Sequence, residues 1–147
     1  MNTIAQILAV KGNQTWQVSP GSRVYDALKL MADKDIGAVL VMDGERLLGI
    51  FSERDYARKV ILLGKSSRQL QVSEVMSAPP IFIEPQETVE QALAIMSAKH
   101  VRHLPVMQAG SVVGIVTIGD LVQSLIDEQK VLIKNLEHHI LTKTSLT

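Results

Sequence analysis

A seven-residue stretch decides the fold because it occurs twice, as Gly49-Ile50-Phe51-Ser52-Glu53-Arg54-Asp55 and as Gly114-Ile115-Val116-Thr117-Ile118-Gly119-Asp120. Each copy consists of a glycine, two apolar residues, a hydroxyl residue, two variable residues and an aspartate. The same offset of 65 positions aligns Pro20 with Pro85. It keeps the two halves in register without a gap for about forty positions, which indicates a tandem duplication.

Both copies predict the same order of elements, β-α-β-β-α. An extended piece at 16–18 or 81–83 ends at a proline, which cannot continue a central strand. Apolar residues at helical spacing follow, from Val24 to Met31 and from Val89 to Met96. Two strands are then predicted around a turn, at 38–42 and 46–51 around Asp43-Gly44, and at 104–107 and 112–116. A second helix is expected to begin near Ser52 and near Thr117.

The duplication divides the 147 residues into a first unit over 1–64, a linker over 65–71, a second unit over 72–128 and a C-terminal helical extension over 129–147. Residues 72–76 are interpreted as a helical lead-in to the second unit, and residues 4–8 as its counterpart in the first. A unit of about 60 residues has a marginal core, so we expect the two units to share one joint core.

Composition excludes several classes of protein. The net charge is zero, unlike that of a dedicated nucleic-acid-binding domain. Cysteine is absent and aromatic residues make up 3%, which argues against thiol chemistry, thiolate metal sites and base-stacking surfaces. No apolar run approaches the roughly 20 residues of a membrane span, and the N-terminus lacks the pattern of a signal peptide. We therefore expect a cytoplasmic protein with no metal site.

The repeated hydroxyl and aspartate have two interpretations. A Ser or Thr followed three residues later by an acid is a capping box, which satisfies backbone N–H groups at a helix start. Capping boxes favour Glu or Gln, however, whereas both copies have Asp. A helix N-terminus also attracts phosphate, and a carboxylate accepts hydrogen bonds from ribose hydroxyls. The same residues can therefore form a nucleotide subsite, and the two interpretations do not exclude each other.

The basic residues favour an anion site in the first unit. Arg54 and Arg58 lie four apart on one helix face, within a segment over 46–68 that carries a charge of +4. A solvated basic helix face is the alternative. In the second unit Gly119 and Gln123 stand at the corresponding positions, so we expect Arg102 and His103 to supply the compensating charge there.

These motifs, together with Val101-Arg102-His103-Leu104-Pro105-Val106, closely resemble a tandem pair of CBS domains, the family named after the regulatory region of cystathionine β-synthase. The resemblance covers about Ile4 to Ile126, and residues 51–60 resemble the stand-alone bacterial and plant-organelle members. It implies an α+β fold in which two β-α-β-β-α units pack through their sheets into one pseudo-twofold module.

The resemblance also implies a regulatory module that binds AMP, ADP, ATP, NAD or S-adenosylmethionine in clefts between the units, with AMP preferred. Asp55 and Asp120 would hold ribose hydroxyls, and Ser52 and Thr117 would contact phosphate or ribose. The implied phosphate contacts are Arg54, Arg58, Arg102 and His103. The implied adenine contacts are Val18, Ile36, Gly37 and Ala38 around one site, and Pro80, Ile81, Val101 and His103 around the other.

A homodimer is implied as well, and the sequence offers a surface for it. Apolar residues continue at helical spacing beyond Asp120, at Leu121, Val122, Leu125, Ile126, Leu132, Ile133, Leu136 and Ile140. This stripe needs a partner, either the chain's own surface or a second subunit. No effector domain follows, so the readout is expected to be a separate protein. The alternatives are an interaction scaffold with vestigial clefts and an enzyme, although no nucleophile elbow is present.

Overall fold

A computed structural model describes residues 2–145 and shows two small sheets flanked by helices. The elements of the first half are α1 (Ile4–Lys11), β1 (Gln17–Val18), α2 (Val24–Lys34), β2 (Ala38–Asp43), β3 (Arg46–Ser52) and α3 (Glu53–Tyr56). The helix α3 continues directly into a π-helical turn at Ala57–Ile61. The second half contains a 3-10 turn at Val72–Glu74, then α4 (Val89–Lys99), β4 (His103–Gln108), β5 (Ser111–Thr117) and α5 (Ile118–Ser145).

The two sheets repeat one topology, and the predicted α+β class is confirmed. Strand β1 runs parallel to β2, which pairs antiparallel with β3. Strands β4 and β5 form the equivalent hairpin, and Ile83 adds a single parallel bridge to Val106 in place of a third strand. Both hairpins shift register at the same place, at Val41/Met42 and at Val106/Met107.

The expectation of one joint core is wrong, because each half has its own. One core contains Val24, Met31 and Phe51, and the other contains Val89, Met96 and Leu104. A third, smaller cluster joins the sheets: Leu40, Met42 and Leu47 pack against Ile50, Met107, Val112 and Ile115. The units therefore pack through their sheets, with a core on the far side of each.

The lead-in segments are exchanged between the halves, which corrects their predicted assignment. Ile4, Ile7 and Leu8 of α1 pack in the core of the second half, whereas Val72 and Val75 pack in the core of the first. Backbone hydrogen bonds fix both segments, with Ile4 N donating to Glu87 O at 2.9 Å and Val72 N donating to Ser22 O at 2.8 Å. The division of the chain at 64, 71 and 128 stays a prediction.

Helix α5 has 28 residues, about 42 Å at 1.5 Å per residue, and extends well beyond the second core. Leu121 is buried and Leu125 packs against the second core. The other apolar residues of the helix stripe are exposed on the surface of this chain, among them Val122, Ile126, Leu132, Ile133 and Leu136. No helix within residues 2–145 is long and apolar enough to cross a membrane.

Candidate functional site

Both strand-to-helix junctions form capping boxes. At the start of α3, Ser52 Oγ accepts from Asp55 N at 3.2 Å, and Asp55 Oδ2 accepts from Ser52 N at 3.0 Å. At the start of α5, Thr117 Oγ1 accepts from Asp120 N at 3.1 Å, and Asp120 Oδ2 accepts from Thr117 N at 2.8 Å. The shorter Asp side chain therefore closes the box in both copies, so the hydroxyl and the carboxylate have a structural role at each junction.

The glycine that opens each motif accommodates the exchanged lead-in segment. A Cβ on Gly49 would lie 2.6 Å from the backbone oxygen of Ser77, and one on Gly114 would lie 2.8 Å from Cδ2 of Leu8. Real Cβ atoms do not approach other heavy atoms this closely, so Gly49 is required beside the backbone of Ser77, whereas a Cβ at Gly114 would displace the side chain of Leu8. The close approach expected from the sequence is thus made by the protein's own chain.

A cavity between the two units, called cavity one, has a volume of about 740 Å³. It is lined by Gly37, Ile50, Ser52, Glu53, Arg54, Asp55, Arg58, Lys59, Ser77, Lys99, His100, Val101, Arg102 and His103. The start of α3 thus faces the loop between α4 and β4. Arg54 and Arg58 share this cavity with Arg102, although Arg102 belongs to the other unit.

Cavity one is strongly cationic. Five cationic side chains line it (Arg54, Arg58, Lys59, Lys99 and Arg102), against the two carboxylates of Glu53 and Asp55. Arg54 Nη1 donates to His100 O at 2.6 Å and so ties α3 to the end of α4. Arg58 and Arg102 are both exposed, and within the described part of the chain neither guanidinium group forms a hydrogen bond or an ion pair. The geometry therefore leaves two guanidinium groups, one from each unit, free to meet an anion.

Asp55 is the buried carboxylate of cavity one, and both of its oxygens are occupied. Oδ1 accepts from Ser77 Oγ at 2.8 Å and pairs with Lys59 Nζ at 3.0 Å. Oδ2 accepts from the backbone and the hydroxyl of Ser52. The Ser77 hydroxyl therefore makes the kind of bond that a ribose hydroxyl makes to a carboxylate.

A second cavity, called cavity two, is smaller at about 330 Å³ and is lined by Lys11, Gly12, Gln14, Trp16, Asp35, Ile36, Gly37, Ala38, His103, Ile115 and Thr117. It is the counterpart of cavity one under the repeat, with the start of α5 facing the loop between α2 and β2. Its cation is Lys11, whose Nζ lies 2.6 Å from Asp120 Oδ2 and donates to Ile115 O at 2.9 Å.

Gly37 and His103 line both cavities and form the wall between them. A Cβ on Gly37 would lie 3.2 Å from His103 Nε2, so the ring packs directly against the glycine backbone. Burial lowers the pKa of His103, and Lys11 and Arg102 lower it further, whereas Asp120 opposes them. The imidazole is therefore kept neutral between two cationic groups.

The structure brings most of the predicted site residues together, in a different grouping. Arg102 lines cavity one, so the expectation that it supplies the missing positive charge at the helix start of the second unit is wrong. The reason is that the packing of the sheets puts the start of each unit's second strand opposite the other unit's helix. Val18 and Ile81 pack against the two cores, and Pro80 lines neither cavity. Asp120 lies at the edge of cavity two beneath Lys11 and does not line it.

Several residues that line the cavities were missed by sequence reasoning, among them Lys11, Trp16, Lys59 and Ser77. Lys59 carried a signal, because it lies one turn after Asp55 within the basic segment that the sequence singled out. Lys11 and Ser77 did not, because both reach their cavities through the exchanged lead-in segments.

Comparison with known proteins gives concordant matches. The model of the CBS domain family matches residues 16–61 and 72–127. The mitochondrial CBS domain-containing protein CBSX3 of Arabidopsis thaliana is 34% identical over 147 residues, covering 94% of this chain and 71% of that protein. The solved structure of a protein with CBS domains from Burkholderia ambifaria MC40-6 is 45% identical with a TM-score of 0.83, covering 87% of this chain and 96% of its own.

A more distant match shares the fold alone. The CBS domain pair of protein MJ0100, solved in complex with 5′-methylthioadenosine and S-adenosyl-L-methionine, is 22% identical with a TM-score of 0.76. The match covers 87% of this chain and 98% of that chain.

Proposed function

The chain belongs to the CBS-domain family, and we propose that its domain pair is a non-catalytic regulatory module that binds an adenosine-containing ligand in the clefts between its two units. AMP is the preferred ligand, and ADP, ATP, NAD and S-adenosylmethionine are the other members of the class. Occupancy is reported to a separate effector protein.

The observation that carries this proposal is the cationic lining of cavity one. Arg58 and Arg102 come from different units and are both exposed within the cavity. A phosphate between them would accept charge-assisted hydrogen bonds from both guanidinium groups. It would also link the two units, which gives ligand binding a means to change how they pack.

The carboxylate of Asp55 supports the ribose part of the proposal. Ser77 Oγ donates to Asp55 Oδ1 at 2.8 Å at the wall of the cavity. A ribose hydroxyl can replace this hydroxyl donor without leaving the carboxylate unsatisfied, because both groups donate an O–H to the same oxygen. Asp55 is therefore the proposed ribose contact of cavity one.

The charge of the cavity supports a phosphate-bearing ligand within the adenosine class. The MJ0100 pair binds two adenosyl compounds without phosphate, according to its complex. Five cationic side chains line cavity one here, and they repel the sulfonium of S-adenosylmethionine while attracting a phosphate. AMP, ADP, ATP and NAD therefore fit this cavity better than S-adenosylmethionine does.

The test is a thermal-unfolding panel with adenosine, AMP, ADP, ATP, NAD and S-adenosylmethionine. A ligand that binds the folded state stabilises it by about 2.7 kcal/mol at a hundred times its Kd, so AMP is expected to raise Tm. Arg58→Ala and Arg102→Ala should each weaken AMP about tenfold or more, through loss of one charge-assisted hydrogen bond, and leave adenosine unchanged.

Arg46→Ala is the matched control. Arg46 is an exposed arginine of the same unit as Arg58, and it lies at the β2–β3 hairpin, outside cavity one. It should leave AMP binding unchanged. An equal loss in all three variants would show that the effect is one of overall charge. If no adenine compound raised Tm, the proposal would be wrong and the alternative, an interaction scaffold with vestigial clefts, would be favoured.

Homodimerisation is part of the same proposal. The exposed apolar side chains of α5 include Ile133 and Leu136, which lie 55% and 53% exposed on adjacent turns beyond the second core. Such a stripe on a helix that projects from its own core is stabilised when it packs against a second copy.

A further inference from the structure

Equivalent carbonyl and carboxylate groups border the two cavities, and different donors bind them. In cavity one, Ser77 serves both groups: its backbone N donates to Ile50 O at 2.8 Å, and its hydroxyl donates to Asp55 at 2.8 Å. Ile50 N also donates to Ser77 O at 3.1 Å, which completes a β-bridge. The segment that borders cavity one is therefore held by the main chain.

In cavity two, a single ammonium group replaces both of these contacts. Under the 65-residue offset Ile115 corresponds to Ile50, and Asp120 corresponds to Asp55. Lys11 Nζ donates to Ile115 O at 2.9 Å and lies 2.6 Å from Asp120 Oδ2. Among the described residues, no hydrogen bond joins 12–15 to β5. One lysine side chain thus ties this border of the cavity and covers the carboxylate.

We propose that Lys11 is the specificity-determining residue of cavity two. The cavity binds an adenosine compound only when that compound carries an anionic group that Lys11 can contact. The inference rests on the proposed function, since it concerns the ligand class of the second cleft. The Lys11–Asp120 pair is accessible to a ligand, with side-chain exposures of 30% and 24%.

The physical reason is the balance of charge in the pair. A ribose that takes Asp120 Oδ2 deprives Lys11 of its carboxylate, and a partly buried ammonium without an anion is unfavourable. A phosphate on the same ligand restores the balance, because the ammonium can donate to it instead. Uncharged adenosine offers no such group. Lys11 therefore favours AMP and opposes adenosine.

Trp16 makes this measurable. It is the only tryptophan of the chain, and it lines cavity two but not cavity one. Its emission is therefore expected to respond directly to a ligand that enters cavity two. In the full-length wild-type protein, AMP is expected to change Trp16 emission with a Kd about tenfold or more below that of adenosine.

Three variants test the role of the lysine. Lys11→Met should bring the Kd ratio of adenosine to AMP close to one, because Asp120 is then open and no ammonium needs an anion. Lys11→Arg should keep the preference for AMP. Lys65→Met, which removes an exposed lysine that lines neither cavity, should leave the ratio at Trp16 unchanged.

Two results would overturn the inference: equal Kd values for adenosine and AMP at Trp16 in the wild type, or a ratio that Lys11→Met does not move. An AMP-induced rise in Tm without any change at Trp16 would also overturn it, and would leave the proposed function at cavity one intact. If AMP neither raised Tm nor changed Trp16 emission, the proposed function itself would fail.

Discussion

Replacing Gly49 with alanine is expected to destabilise the first unit through one atom. The added Cβ would lie 2.6 Å from Ser77 O, 3.0 Å from Met76 Sδ and 3.3 Å from Ala78 Cβ. An ordinary contact between carbon and a carbonyl oxygen is about 3.3–3.6 Å, so Ser77 must move by about 0.7 Å. Backbone oxygen cannot rotate away as a side chain can.

The cost has two parts. Overpacking of a well-packed site typically costs about 1–3 kcal/mol. The movement also stretches the hydrogen bond from Ile50 N to Ser77 O, now 3.1 Å, beyond hydrogen-bonding distance. Its loss adds about 0.5–1.5 kcal/mol. Gly49→Ala is therefore expected to lower the free energy of unfolding by about 2–4 kcal/mol.

Two other glycines provide matched comparisons. A Cβ on Gly114 would meet the side chain of Leu8 at 2.8 Å, and that side chain can rotate, so Gly114→Ala should cost less. A Cβ on Gly21 would meet nothing within 4 Å, and there alanine should stabilise by about 0.4–1 kcal/mol. Urea unfolding followed by circular dichroism measures all three. A cost for Gly49→Ala within about 0.5 kcal/mol of Gly21→Ala, or below Gly114→Ala, would refute the reasoning.

Three further outcomes are expected. Because the pKa of His103 is lowered in the folded state, the unfolded chain binds the proton more readily, so the free energy of unfolding should fall as pH drops below about 6.5. His103→Gln should lose that part of the pH dependence in urea titrations, and an unchanged slope would contradict the assignment. Ile4→Ala should lower the free energy of unfolding by about 2–5 kcal/mol in urea titrations, because Ile4 is fully buried in the second core. A decrease below about 1 kcal/mol would contradict the exchange of lead-in segments. Ile133→Glu should convert a dimer into a monomer in analytical ultracentrifugation, whereas Asp43→Glu on the distant hairpin should not; a wild-type monomer at all concentrations would contradict dimerisation through α5.

Local patterns were sufficient to predict the elements. Helical spacing placed α2 and α4, and the hydroxyl-to-aspartate motif placed the starts of α3 and α5, because the capping interactions span only three residues. The turn of the first hairpin lies at 44–45, one residue later than predicted, since Asp43 and Arg46 still pair across the strands. The extended piece at 81–83 is reduced to the bridge at Ile83.

The grouping of the candidate site residues was predicted less well, because it depends on contacts across the whole chain. Repeat symmetry indicates that Arg102 corresponds to Gly37, but not that Arg102 faces Arg58. That placement follows from the packing of one sheet on the other, which brings each unit's second strand to its neighbour's helix. The lead-in segments likewise have apolar residues that suit either core, so their sequence does not select one.

The sequence by itself determined the duplication, the two β-α-β-β-α units, the capped helix starts and the basic segment that lines cavity one. Each of these is encoded within a few residues, by periodicity, side-chain length or charge. Only the tertiary structure decided that Lys11 meets Asp120, 109 positions away, and that Ser77 meets Asp55. These pairs exist because α1 and the Val72–Glu74 turn cross to the opposite cores, and a long-range exchange of this kind leaves no local pattern in the sequence.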